Sequence, residues 1–205
     1  RAASSLDSEL GGPEAWASAV GSVPVAAFTV SKVRWLARNE PENARRVASL
    51  MLPHDYLTWL LAGRPESATT DRGETSGTGY WSPATGEYRE DLVRLALGHV
   101  PRLPRVAGPA EAIGETRAGI VLGPGTGDNM GAALALDVSP GDVVVSLGTS
   151  GTAFAGSSMP TSDESGFVAG FADATGNFLP LVCTLNAARV LTSTAVLLGV
   201  DFDGL

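Results

Sequence analysis

The sequence predicts an α/β chain in two parts, a mostly helical stretch followed by a strand-rich one. Three observations carry that reading. Apolar residues recur at helical spacing over about the first hundred residues. From about residue 118, short β-branched runs bounded by glycine take over. A proline- and glycine-rich connector, "HVPRLPRVAGPAEAIGET", lies between them. With 205 residues, 44% hydrophobic and 18% charged, the chain suits one large domain or two small ones with a buried core.

In chain order, "PEAWASAV" is short and apolar-periodic, and "TVSKVRWLARNEP" places Val30, Val33, Leu36 and Ala37 on one helical face. Pro41 ends that helix and opens the next, "PENARRVASLM". In "LPHDYLTWLLAG", Tyr56, Leu57, Leu60 and Leu61 form a stripe, with Gly63 as the C-terminal stop. "SATTDRGETSGTGYWSPATGEY" reads as loop with short extended pieces, and "REDLVRLALG" as an amphipathic helix closed by glycine. "AGIVLG" is expected to be a buried strand and "NMGAALALDV" an Ala-rich helix. "GDVVVSLG", "GTAFAG", "GFVAGFA" and "NFLPLVCTL" read as strands, and "NAARVLTSTAVLLGV" as a final helix. The boundary between the two parts falls between about residues 115 and 140.

Net charge is −8, which disfavours a nucleic-acid or membrane-surface role, because phosphate backbones reward basic patches. The start shows no secretory segment, and no run reaches the roughly 20 apolar residues of a membrane helix. The lone Cys183 cannot close an internal disulfide, so a reducing, cytoplasmic setting is expected, with Cys183 as a small buried apolar residue. The chain lacks an initiator Met and ends just past an apolar run, so further chain is expected at both ends. Trp16, Trp35, Trp59 and Trp81 are read as packing residues, and His54 and Asp55 as helix-terminus residues. No His/Cys cluster has zinc-ligand spacing.

The chemistry concentrates in two glycine turns. "GPGTGDN" is no P-loop, since no Gly-Lys-Ser/Thr follows, and Asp128 stands where a dinucleotide fingerprint needs its third glycine. Gly125 and Gly127 allow a sharp bend and close approach to a ligand. Asp128 and Asn129 fall at the start of the Ala-rich helix, where Asp128 is either an N-cap or a general base at a strand-to-helix junction. "SLGTSGT" fails as a nucleophile elbow because Thr152 replaces the second glycine. It reads either as an ordinary hairpin turn or as one offering amides and hydroxyls to an anion.

Together, "GDN", the Ala-rich helix and "VVVSLGTSGTAF" resemble the FGGY carbohydrate kinases, and Asn129 resembles the members that act on D-xylulose. Upstream, the segment through "LPHDYL" is similar to the family's helical region, and "TTDRGETSGTGYW" to its Thr-Asp loop. The resemblance runs from about residue 20 to about 200. It implies an actin-like (ribonuclease H-like) ATPase fold of two lobes around a cleft, with residues 1–118 ending the first lobe and 119–205 supplying the junction and the start of the second. It implies Asp128 as the base that takes the sugar-hydroxyl proton, and Asn129 as a sugar contact. Gly148, Thr149, Ser150 and Gly151 are implied as a turn reaching the phosphates of ATP, with Mg²⁺ accompanying it. Asp71 and Ser76, in the first-lobe loop, are given no chemistry. A sugar, D-xylulose, and ATP are the implied partners, and a homodimer is compatible with the resemblance. The family's Asp-x-Gly-Thr hairpin and Trp-Asn-Asp motif are expected before residue 1, and its adenosine-binding segment after residue 205. Pro124 and Thr126 depart from the commoner all-glycine turn. The alternatives are a kinase for another ketose or polyol, and a truncated, non-catalytic relative that binds sugar or nucleotide.

Overall fold

A computed structural model describes residues 2–205. Helices α1 (Ala2–Leu10), α2 (Pro13–Val20) and α3 (Thr29–Asn39) open the chain. Pro13 starts α2 and Gly21, at φ 76°, ends it. Trp16, Val20, Val30, Leu92 and Val93 are buried around Leu6, and the Trp16 indole donates to the Leu6 carbonyl at 3.2 Å. Trp81 is buried as well, whereas Trp35 is half exposed on the outer face of α3 and packs nothing into the core.

The helix expected over "PENARRVASLM" stops early, as α4 (Pro41–Arg45). The chain then turns extended, because Leu50 N–H donates to the Arg102 carbonyl and Arg102 N–H to the Ala48 carbonyl, both at 3.0 Å. These partners lie some fifty residues on, beyond any local signal. Helix α5 (Pro53–Leu61) follows, and its Tyr56, Leu57 and Leu61 stripe lies exposed rather than in the core. The loop after it holds strand β1 (Thr69–Thr70), a short helix α6 (Arg72–Ser76), and the hairpin β2 (Trp81–Ser82) with β3 (Glu87–Tyr88). Helix α7 (Glu90–Leu97) ends at Gly98, φ 94°, and lays Leu92, Val93, Ala96 and Leu97 on α3 and its neighbours.

Strand β4 (Arg105–Val106) pairs in parallel with β1. Strands β5 (Gly114–Glu115) and β6 (Val121–Leu122) form a small hairpin. "AGIVLG" therefore is not a buried strand. Only two of its residues pair, and Ile120 and Val121 are exposed while Leu122 is half-buried.

Helix α8 (Asp128–Ala135) leads into a four-stranded antiparallel sheet of β7 (Val143–Leu147), β8 (Gly151–Ala155), β9 (Ala169–Ala172) and β10 (Phe178–Thr184), in the order β7-β8-β10-β9. Met130 and Ala133 of α8 bury Phe154, Leu179 and Leu181. Cys183 shares the strand face of Leu179 and Leu181 but lies past the end of that cover, so it is exposed, contrary to expectation. Helix α9 (Ala188–Leu198) and a 3₁₀ turn (Phe202–Gly204) close the chain. No described helix is long and apolar enough to cross a membrane.

The sheet joins the helical part through β9. Gly170 N–H donates to the Gly21 carbonyl at 2.9 Å and to Ser22 Oγ at 3.0 Å. Ala172 N–H donates to the buried Ser76 Oγ at 3.0 Å. A methyl group at Gly170 would collide with the carbonyls of Gly21 and Thr161.

Candidate functional site

The two glycine turns emerge at opposite ends of the same chain segment, one entering α8 and one joining β7 to β8. In the first, Gly125 sits at φ 89°, a left-handed conformation that disfavours any side chain. Gly127 has ordinary extended dihedrals, and what it needs is room: a Cβ there would lie 2.6 Å from Glu74 Oε1 and 3.0 Å from Met130 Sδ. Gly127 is the N-cap residue and Asp128 the first helical residue, so the capping role open to Asp128 goes to its neighbour. Its exposed carboxylate accepts hydrogen bonds from Asn129 N–H at 2.8 Å and Asn129 Nδ2 at 3.0 Å. One oxygen, Oδ1, takes both, which leaves Oδ2 without a donor among the described residues, exposed at the positive end of a helix. Such a group can accept a proton from a hydroxyl placed against it.

In the second turn, Gly148, Thr149 and Ser150 are exposed and Gly151 is buried at the start of β8. The carbonyls of Gly148 and Thr149 accept from Ala188 and Ala187 at 2.9 and 3.1 Å, which anchors the turn to the start of α9. Among the described residues, the Thr149 and Ser150 amides find no backbone acceptor, so they are free for an external anion. Ser150 Oγ makes only a long contact, 3.5 Å, to the Leu185 carbonyl. Gly151 is excluded from carrying a side chain by Ala187 Cβ and Thr184 Oγ1, each 2.9 Å from where its Cβ would stand. No hydrogen bond joins the two turns.

Beside the first turn lies a cluster that sequence reasoning left without chemistry. Asp55 does serve as a helix-terminus residue, with Oδ2 accepting from Leu52 N–H at 2.8 Å. Asp71 likewise caps α6, with Oδ1 accepting from Glu74 N–H at 3.0 Å. Their other oxygens converge on His54: Nε2 stands 3.0 Å from Asp55 Oδ1 and 3.1 Å from Asp71 Oδ2. One proton cannot lie on both lines, and no straight hydrogen bond forms to either oxygen. The adjacent Asp71 carboxylate chiefly, with the charges of Asp55 and Glu74, holds the His54 ring above its ordinary pKa despite burial. Burial pushes the Asp55 and Glu74 carboxyls up. The only sequence signal for this cluster was the Thr-Asp loop, since residues 54, 55, 71 and 74 share no spacing rule.

A cavity of about 880 Å³ opens elsewhere, lined by Leu52, Tyr56, Trp59, Arg102 and Leu103. It holds none of the turn residues and plays no part in the chemistry above.

Comparison with known proteins matches residues 3–134 to the N-terminal domain of the FGGY family of carbohydrate kinases. The xylulose kinase of Streptomyces coelicolor is 51% identical over 96% of this chain, and that of Streptomyces rubiginosus 49% over 96%. In each case the chain spans 42% of the relative's length. The crystal structure of xylulose kinase from Bifidobacterium adolescentis, 41% identical, superimposes on 98% of this chain and 49% of that one, with a TM-score of 0.90. The architecture is thus the actin-like α/β fold of these sugar kinases, of which this chain contains about half.

Proposed function

The chain belongs to the FGGY family of carbohydrate kinases, and from that premise we propose that the full protein transfers the γ-phosphoryl group of ATP to D-xylulose, yielding D-xylulose 5-phosphate. The observation that carries the proposal is the Asp128–Asn129 pair at the exposed start of α8, in a chain about half identical to two xylulose kinases. In this reading Asn129 steadies Asp128 Oδ1 and hydrogen-bonds the sugar, while Oδ2 receives the hydroxyl proton. The sugar oxygen then bonds to phosphorus as the bond to ADP breaks. General-base help of this kind contributes about 10²–10⁴-fold, the remainder coming from positioning and charge stabilisation.

Gly148, Thr149, Ser150 and Gly151 fit the phosphates of ATP, because the turn is exposed and its free amides suit an anion. Mg²⁺, when bound, neutralises phosphate charge. Among the described residues no three His, Cys, Asp or Glu side chains are grouped to hold a metal ion. Residues 1–118 and 119–205 are proposed as parts of two lobes, with the cytoplasm, where ATP and free sugar meet, as the setting.

The test is a coupled ADP-release assay on the full-length protein with Mg²⁺-ATP and D-xylulose, D-ribulose, glycerol or gluconate. Turnover chiefly with D-xylulose, lowered about 10²–10⁴-fold by Asp128→Asn, is the expected result. Turnover with another sugar moves the substrate and keeps the chemistry. Silence from folded protein that still binds nucleotide overturns the proposal in favour of a non-catalytic relative.

A further inference from the structure

The cluster around His54 is connected to the turn that carries Asp128 by two routes. The first is direct. A Cβ added at Gly125 would just touch the His54 ring carbon Cδ2, at 3.5 Å, and Asp71 Oδ2, at 4.0 Å, so only a methyl group's width separates the turn from the ring and its carboxylate. The second runs through α6. Asp71 fixes the start of that helix, and the next residues reach α8: a Cβ at Gly73 would fall 2.7 Å from Met130 Cγ, and Glu74 Oε1 stands against Gly127. Asp55 and Asp71 are themselves nearly inaccessible, with side chains 2% and 6% exposed. Among the described residues the oxygens they point at His54 accept no well-formed hydrogen bond.

We propose that His54, seated between Asp55 and Asp71 and beside Gly125, is a positioning residue that, chiefly through α6, holds the Gly123–Gly127 turn and so places the Asp128 carboxylate. The inference rests on the kinase reading for its catalytic consequence. Two adjacent buried carboxyls cannot both ionise cheaply unless a cation stands between them, and the charged His54 ring is that cation. Without it, Asp71 swings away, the start of α6 shifts, and both supports of the turn move together. His54 does not touch the substrate in this scheme and acts only through the turn.

The proposal predicts a pH dependence. The charged groups facing His54 are Asp55 from α5, and Asp71 and Glu74 from α6 and its cap. The turn against its other side, Gly123–Gly127, has no ionisable side chain. Because the ring is held above its ordinary pKa, it keeps its charge to higher pH than a free imidazole, and the clamp, which also needs its carboxylates ionised, is released as pH rises through the raised value. Turnover should then carry an alkaline limb.

The experiment uses the full-length protein, with kcat and KM for sugar and ATP measured from mildly acid to alkaline pH. Histidine-labelled protein is followed by NMR over the same range. For wild type, the alkaline limb of kcat should share its midpoint with the ring of His54, the histidine signal whose titration falls in Asp71→Asn. His54→Gln should lower kcat by about tenfold or more, as sub-ångström misplacement of a catalytic group does, leave KM for ATP unchanged, and lose the limb. A folded His54→Gln with wild-type kcat and an unchanged limb overturns the proposal. Should that variant not fold, the wild-type comparison decides, and midpoints that disagree beyond fitting error overturn it. If wild type phosphorylates no sugar, the kinase reading fails on its own. The clamp is then judged by the Gly125, Gly127 and Asn129 amide signals, which must move with the His54 titration, and still signals overturn it.

Discussion

Asp128 and Glu74 are two carboxyl groups near one turn with opposite environments. Asp128 is exposed and bound by Asn129, whereas Glu74 is half-buried against Gly127 with no hydrogen-bond donor of its own. Removing the base by Asp128→Asn is expected to lower kcat by about 10²–10⁴-fold in the ADP-release assay, with little change in KM for ATP. Glu74 carries the reverse burden. Burial holds its carboxyl above the ordinary range, so the native state binds its proton more tightly than the unfolded chain does. Stability then falls as pH rises from the ordinary Glu value through the raised one. Glu74→Gln should raise Tm at neutral pH, and the gain should vanish in acid, where the wild-type carboxyl is protonated in both states. Differential scanning fluorimetry at the two pH values checks it. A Gly127→Ala change should cost about 1 kcal/mol of stability, because the flexible ends of Met130 and Glu74 must give way to its Cβ, and should also lower kcat.

At the scale of elements, the junction between α6 and β9 rests on one hydroxyl. Ser76 Oγ donates to the Gly73 carbonyl at 2.6 Å and accepts from Ala172 N–H at 3.0 Å, with Ser76 fully buried. Ser76→Ala leaves that amide without a partner, at a cost of about 1–3 kcal/mol in a denaturant titration. Such pairings explain which elements could be seen in advance. Helices α2, α3, α7, α8 and α9 and strands β7–β10 were legible because their determinants are local: apolar period, β-branched runs, and glycines such as Gly98 and Gly199 in left-handed caps. The early end of α4 was not, since Arg102 imposes it from a distance. Nor was the short helix α6, whose five residues are too few for a period and depend on the Asp71 cap and on β9. At the site, Asp128, Asn129 and the Gly148–Gly151 turn stood out through glycine and motif. The His54 cluster did not, because it is assembled from two helix starts that fold brings together.

For the whole molecule, the kinase reading asks that water be excluded from the transferred phosphoryl group, which an open pair of turns does not do. Small-angle scattering of the full-length protein should show a smaller radius of gyration with D-xylulose and a non-hydrolysable ATP analogue than without them. An unchanged radius counts against closure. Whatever moves, the contact of β9 with the helical part has a property of its own. Gly21 and Gly170 meet through main-chain atoms, at a spacing that leaves no room for a methyl group on either. Beside that main-chain contact the join draws on few side chains: the Ser22 and Ser76 hydroxyls, which accept from Gly170 and Ala172 N–H, and Phe171 stacked on Phe28. It follows that β9 with its flanking loops is transplantable: a chimaera taking this strand from a distant family member should dock in the same register provided that both glycines, an aromatic residue at position 171 and the Ser22 and Ser76 acceptors are retained, while a single alanine at Gly170 should by itself break the docking.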